Sequence, residues 1–558
     1  MRHLLALALC VLAPGAALAN ARITIVNGNA PGVGFNDPTP ASPVGGNPGT
    51  SLGEQRLIAF QFAADIWGAT LDSAAETKIL ATFEPLSCTA STAVLGSAGP
   101  LSVWSDFSGA EYPFTWYHGA LANKLHGARL DPASPEIRAR FNSNLGNAGC
   151  LTGTGWYLGL DTAAGTQVAL VTVLLHEFAH GLGFSSVTSV STGALLFGQS
   201  DTYSKFYLDS GLNLPRDAMT DAQRKASAIS GRVVWTGPTV TANLPAVLQP
   251  GTPLLRVSSP AAVAGVYKVG TASFGPPLGA PGVSGELVAA LDDANASGPT
   301  SFDACTAITN SGSVAGQVAL VNRGTCGFVI KVKNLQDAGA VGAVIADNAA
   351  GSPPAGLGGS DPSIIIPAVR ITLDAGVALR AAVGSGPVQV TLGVDLAVRA
   401  GADPQGRARL NSPNPVQPGS SISHWDPIAF PSQLMEPAIN ADLTHSVDVP
   451  QDLTTSLLRD IGWYLDRDVD NVPDAVDRCL GSDLRPTVVV GGADTGISNT
   501  LFTSGCTISD LVGACGAGAG NHGGFVSCVG NLGNALRDQG FLTPAQKGAL
   551  QSAAARAK

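Results

Sequence analysis

The sequence predicts an α+β protein of several domains, one inserted inside another, with a small cysteine-rich module at its C-terminal end. Three observations carry this. Short strand-like runs alternate with amphipathic helices over the first 250 residues. From about 255 the texture changes to valine- and glycine-rich short strands, and a Pro/Asn/Ser/Gly linker at 401–421 closes that region. Four of the nine cysteines lie beyond residue 478. A chain of 558 residues suggests about three to five domains at roughly 100–200 residues each.

The elements follow in order. Met1-Arg2-His3, an apolar run Leu4–Leu12 and the small-residue site Ala17-Leu18-Ala19 read as a secretory signal peptide, residues 1–19. Arg22–Asn27 reads as a strand. Leu57–Leu71 reads as a helix with an apolar face, and Ile79–Phe83 as a second strand. Arg138–Asn142 alternates and is the expected edge strand. Gln167–Leu182 is the most apolar helix, and Asp221–Ile229 a polar one. In the inserted region a helix at Ile330–Ala338 leads to a buried strand at Ala340–Ala346. Leu453–Tyr464 is another apolar helix, and a helical tail starts at Pro544.

Composition narrows the function classes. Apolar residues make up 45% of the chain and charged residues 13%, which excludes wholesale disorder. Net charge is −10 with no Lys/Arg run, so nucleic acid is not an expected partner. No stretch approaches 18 consecutive apolar residues, so no stable membrane anchor is expected. Secretion and an oxidising compartment fit the cysteines. Setting aside Cys10 in the leader, eight remain in three clusters: Cys88 and Cys150; Cys305 and Cys326; Cys479, Cys506, Cys515 and Cys528. Pairing within clusters is the simplest expectation.

The chemistry concentrates in His176-Glu177-Phe178-Ala179-His180. On a helix, positions i and i+4 share a face, so the two imidazoles can hold one metal, with Glu177 beside it as general base. A catalytic zinc usually takes a third protein ligand and leaves one position open. A glutamate on a following helix is nearly excluded, because the next Glu after Glu177 is Glu286, in the inserted region. The spacing H-E-x-x-H-x-x-G-x-x-H holds as far as Gly183 and then meets Ser186. Asp201 is one candidate third ligand. The other lies far downstream, in Gly419-Ser420-Ser421-Ile422-Ser423-His424-Trp425-Asp426, followed by Gln433-Leu434-Met435-Glu436-Pro437.

Here the sequence resembles the leishmanolysin-like branch of the metzincin zinc proteases. His176, Glu177, His180, Gly183, His424 and Met435 match that pattern, and 453–464 is similar to its closing helix. The resemblance covers roughly 20–250 and 401–465. It implies zinc on His176, His180 and His424, a helix turning at Gly183, and a methionine turn at Met435. Two departures stand out: the insertion 184–423 is far longer than usual, and Met435 is followed by Glu436 with no tyrosine two positions on. The implied activity is that of a zinc metalloendopeptidase, in which Glu177 activates a zinc-bound water against a peptide bond. Protein or peptide substrates are expected to pair along an edge strand. His118, His126, His445 and His522 lack ligand spacing and are expected at the surface or behind the site.

Val318–Phe328, Lys331–Ala338 and Gly339–Asn348 resemble a protease-associated (PA) domain, placed at 255–400. This implies a non-catalytic α/β insert that covers a cleft, binds substrate or mediates contacts. The protease-like part then divides into 20–254 and 401–465. Asp466, Asp468, Asp470, Asp474 and Asp477 occupy positions 1, 3, 5, 9 and 12 of a loop within 466–478, a pattern that converges carboxylates on calcium. The loop also resembles a thrombospondin type-3 repeat, and its calcium is expected to be structural. Residues 479–558 form the Cys-rich module, with binding to a surface or another protein as the default expectation. The rival readings are a secreted, non-catalytic binding protein on the same scaffold and a zinc peptidase using Asp201.

Overall fold

One buried helix organises the first half of the chain. The structure is a computed structural model that describes residues 21–557 apart from Ser91, Ser297, Ser360, Ala441, Arg467, Val469, Asn471 and Ala475. The leader at 1–19, with Cys10, lies outside the described residues. The elements that frame the helix are β1 (Ile23–Asn27), α1 (Leu52–Thr70), β2 (Thr77–Glu84), β3 (Gly96–Pro100), β4 (Thr115–His118) and β5 (Ile137–Asn142). The helix itself is α2 (Leu170–Leu182), and a short strand β6 (Ser200–Asp201) pairs in parallel with β4.

Four strands form a sheet in the order β1-β2-β5-β3, with β1, β2 and β5 parallel and β3 antiparallel at the edge. This corrects the expected edge strand. Ile137–Asn142 is flanked on both sides, by β2 and by β3. The edge is Gly-Ser-Ala-Gly-Pro, a sequence without the branched and aromatic residues that mark strands. Phe60 of α1 meets Phe83 of β2, Phe141 of β5 and Phe178 of α2, so a knot of rings ties the sheet to both helices.

Helix boundaries differ from the sequence expectation for local reasons. α1 starts at Leu52 rather than Leu57, because the Ser51 side chain accepts from Glu54 N and Glu54 returns to Thr50 N. α2 starts at Leu170 rather than Gln167, because Val168–Ala169 pairs with Trp156–Tyr157. The closing helix is shorter than 453–464: only Thr454–Asp460 is helical. Asp460 then turns its carboxylate to Trp235 Nε1, Thr239 N and Val240 N, binding the two halves of this domain across the insertion.

The inserted region is one eight-stranded sheet. Its strands are β7 (Pro250–Ser259), β8 (Gly265–Lys268), β9 (Gly270–Thr271), β10 (Val283–Ala289), β11 (Val318–Asn322), β12 (Gly342–Ala346), β13 (Ala368–Ile371) and β14 (Gln389–Arg399), in the order β8-β7-β14-β10-β11-β12-β13-β9. The sheet therefore begins five residues before the expected 255. Strands β10 to β13 run parallel, connected through helices including α3 (Phe328–Asp337) and α4 (Leu373–Ser385). Successive residues of β11 and β12 enter two separate cores, one on each face, which is why these strands read as unbroken apolar runs.

The C-terminal module packs a hairpin, Thr487–Val490 with Ala493–Ser498, against helices at Ile508–Gly518, His522–Asp538 and Pro544–Arg556. The first two of these helices are glycine-rich and were not expected from periodicity. Disulfides join Cys88 to Cys150, Cys305 to Cys326, Cys479 to Cys506 and Cys515 to Cys528. No helix among the described residues is long and apolar enough to cross a membrane.

Candidate metal centre

Every residue of α2 is buried, and two tryptophans from elsewhere in the chain bond its carbonyls, one at mid-helix and one at the C-terminal end. Trp67 Nε1 donates to Leu175 O at 3.1 Å and Trp463 Nε1 to Leu182 O at 2.8 Å. The second bond serves a carbonyl at the helix end that has no partner within the helix. The helix stops at Gly183, whose φ of +127° is closed to most side chains. A Cβ there would also lie 2.7 Å from Ile461. The turn carries the chain away after His180 and lets Phe184 O accept from His180 Nδ1 at 2.9 Å.

The structure brings His424 to this helix across 248 positions of sequence. His176, His180 and His424 are buried, and one ligand atom from each lies within 4.8 Å of the other two. Each ring commits its Nδ1–H to a backbone carbonyl: His176 to Leu434 O at 2.7 Å, His180 to Phe184 O at 2.9 Å, His424 to Ser420 O at 2.9 Å. That fixes each tautomer and leaves Nε2 as the lone-pair atom. His176 Nε2 and His424 Nε2 stand 3.1 Å apart. Burial lowers all three ring pKa values, to about 4 for His176, about 3 for His180 and well below the usual value for His424. Three neutral, oriented imidazoles form the donor set that zinc favours, so the residues fit that metal.

Glu177 sits on the same helix, with Oε2 accepting from Ala98 N of β3 at 2.8 Å. Burial raises its pKa to about 7, against the pull of that hydrogen bond. β3 lies so close that a Cβ on Gly96 would meet Glu177 Cγ at 3.2 Å and the Phe141 ring at 3.0 Å. At position 96 the strand has room for little more than glycine. A cleft of about 1150 Å³ runs past β3, the three histidines and Glu177.

Met435 is fully buried, and its carbonyl accepts from Trp425 N at 2.8 Å. Asp452 receives Leu434 N at 2.6 Å and Thr454 N at 2.7 Å, so the loop beneath His176 is anchored to the closing helix. Asp201 does not join the histidines. Its carboxylate accepts from Ser186 Oγ, Val187 N and Ser204 N, where it caps a short helix and pins the chain after Gly183. Ser186, at the position where the spacing runs out, is thus a partner of Asp201.

Sequence reasoning missed several cleft residues. β3 gave no strand signal. His118 takes the second of its two expected places, next to the site: it is buried, lines the cleft, and shares a 2.8 Å hydrogen bond between Nε2 and Ser185 Oγ. No spacing rule points to it, because it arrives from another strand. Glu436 also lines the cleft. Burial raises its carboxyl to about 8, while Oε1 accepts from Gln433 N and Oε2 from Asn440 Nδ2.

In the acidic loop, Asp466, Asp468 and Asp470 bring carboxylate oxygens within 4.8 Å of one another. Asp474 and Asp477 fall outside that set of three. Asp468 Oδ1, Asp470 Oδ2 and Asp477 Oδ2 are buried without a hydrogen-bond partner among the described residues. Burial, reinforced by the neighbouring aspartates, raises Asp470 to about 6. Asp468 Oδ2 receives Ser482 N at 2.6 Å, tying the loop to the C-terminal module.

Comparison with known proteins matches residues 283–379 to the PA domain family. The "Probable lipoprotein aminopeptidase LpqL" of Mycobacterium tuberculosis is 38% identical over 118 residues, 21% of this chain and 22% of that protein. The human "ER degradation-enhancing alpha-mannosidase-like protein 3" is 44% identical over 48 residues, 9% of this chain and 5% of that protein. Among solved structures, an aminopeptidase from Aneurinibacillus sp. strain AM-1 is 25% identical, covering 26% of this chain and 31% of that one, with a TM-score of 0.21. A zinc aminopeptidase from Bacillus subtilis is 21% identical, covering 28% and 35%, with a TM-score of 0.19. The chain spans about a fifth of the length of the bacterial aminopeptidase relative. The family match over 283–379 and the eight-stranded insert together establish a PA domain within a disulfide-bonded mixed α/β protein.

Proposed function

We propose that this chain is a secreted zinc-dependent metalloendopeptidase of the leishmanolysin-like metzincin type. The single observation that carries it is the convergence of His176, His180 and His424, each with Nδ1 held by a carbonyl and Nε2 turned to its two neighbours. Bound there, zinc supplies a Lewis acid that polarises a carbonyl and makes water nucleophilic near neutral pH.

The chain's own residues do the rest. Glu177 is the general base: Ala98 N–H fixes its Oε2, and its carboxylate takes a proton from the attacking water and returns it to the leaving amine. Burial raises its carboxyl above the usual range, which favours its holding the proton between the two transfers. β3 is an edge strand along the cleft, so an extended substrate can pair with its backbone and be cut in mid-chain.

The experiment is cleavage of an unfolded protein whose N-terminus is acetylated. Wild type is expected to cut it internally, lose activity on chelation and regain it with zinc. Glu177→Ala is expected to lower the rate by about 10²–10⁴, and His424→Ala to abolish zinc retention while Asp201→Asn keeps it. Cleavage only of free N-termini would replace the endopeptidase with an aminopeptidase. No cleavage by zinc-loaded, folded protein would favour the non-catalytic binding protein.

A second cation is supported by the three clustered aspartates and by the buried oxygens of Asp468 and Asp470 that have no hydrogen-bond partner among the described residues. Oxygen donors of this kind suit calcium, in a structural role between the catalytic domain and the C-terminal module.

A further inference from the structure

We propose that Trp116, Phe197 and Phe114 form an apolar exosite that captures a bulky hydrophobic side chain of an unfolded polypeptide, beside the cleft. The proposal rests on the peptidase reading for its purpose and on three observations for its place. The first is exposure. Phe197 is 86% exposed and Phe114 72%, and the half-buried Trp116 ring lies 6.3 Å from that of Phe197. Such rings in water are a standing reason to look for something that covers them.

The second is backbone conformation. Leu196 and Gln199 bridge a two-residue turn in which Phe197 has φ +48° and Gly198 φ +76°. A turn with two positive φ values calls for Asn, Asp or Gly at its first central position. Phenylalanine suits neither the turn nor the solvent. Trp116 Nε1 donates to Leu196 O at 2.8 Å and pins the turn in place. Phe114 has φ +49°, and its N–H is held by Asp106 Oδ1 at 2.8 Å. Two aromatic residues held in a strained conformation and presented outward point to a role in contact.

The third is continuity with the cleft. Trp116 is two residues before His118, which lines it, a step of roughly 7 Å along β4. Trp116 also pairs in register with Asp201, whose carboxylate holds Ser186 of the cleft wall. The rings do not line the cleft itself; a substrate continuing past His118 along β4 would meet them with its next residues. The net charge of −10 argues against an anionic lipid surface as the occupant.

The test uses full-length protein carrying Phe197→Asn, which suits the turn, and Phe114→Ser. In a Glu177→Ala background, Kd is measured for a fluorescent, reduced and alkylated protein. The double variant is expected to bind five- to twenty-fold more weakly. In the active form, the ratio of kcat/KM for the unfolded protein to that for a hexapeptide is expected to fall by the same factor, through KM. Unchanged Kd and unchanged ratio overturn the exosite. So does wild-type binding to phospholipid vesicles, or a dimer that Phe197→Asn dissolves, when polypeptide binding is unaffected. If wild type cleaves nothing but the Kd shift appears, the exosite stands and the peptidase reading falls.

Discussion

Ile422 is the residue on which the third imidazole depends. It is fully buried with φ +75°, a region that a β-branched side chain avoids, at a cost on the order of 1–3 kcal/mol. Two hydrogen bonds hold it there: Ile422 N to Asn411 O at 2.7 Å and Tyr203 Oη to Ile422 O at 2.7 Å. Two residues later comes His424, whose own carbonyl receives Asn411 N at 2.8 Å. Tyr203 therefore acts as a positioning residue for His424. Tyr203→Phe is expected to weaken zinc binding by about tenfold, toward the low end of the range for lost outer partners of a ligand. Competition with a chromophoric chelator measures this, and an unchanged far-UV spectrum separates it from unfolding. The sequence marks His176 and His180 and offers His424 as one of two candidates for a third ligand, but nothing in it marks Tyr203 or the strain at Ile422. Both arise only when the segment before His424 is bent against the helix from the other side of the insertion.

At the scale of elements, the pair α2 and β3 makes the cleft, and the two differ in how legibly they are written. α2 is an apolar run with His at i and i+4 and a glycine at its end, a pattern that periodicity finds. β3 begins with a glycine because Glu177 and Phe141 crowd position 96, so the physics that fits it there removes part of its signature. Gly183 joins helix to cleft wall through its positive φ and its contact with Ile461. Gly183→Ala is expected to destabilise the protein by more than about 1 kcal/mol, read as a lower urea midpoint. It should also release His180 Nδ1 from Phe184 O and lower zinc affinity, which the same chelator competition detects.

At the scale of the whole molecule, the insertion is docked to its host. Lys268 Nζ donates to Gly231 O at 3.0 Å, and Ser352 N donates to Asn414 O at 2.8 Å. The acidic loop makes the corresponding joint to the C-terminal module through Asp468 and Ser482 N. If calcium completes that loop, calcium at about 100 times its Kd stabilises the joint by about 2.7 kcal/mol. Asp470→Asn is expected to remove most of that gain. Limited proteolysis near 466–482, with and without calcium, reads it: wild type should be protected by calcium and the variant should not.

The sequence by itself determined the cysteine clusters, the presence of a PA domain and the residue types of the candidate metal centre. These are local or compositional properties, carried by neighbours in the chain and by spacing along one helix. The tertiary structure decided between His424 and Asp201 as the third member of the cluster, placed β3 at the sheet edge, and brought the Trp116 and Phe197 rings together. Each of these turns on which distant segments meet, and that is fixed by packing around one buried helix rather than by any window of sequence.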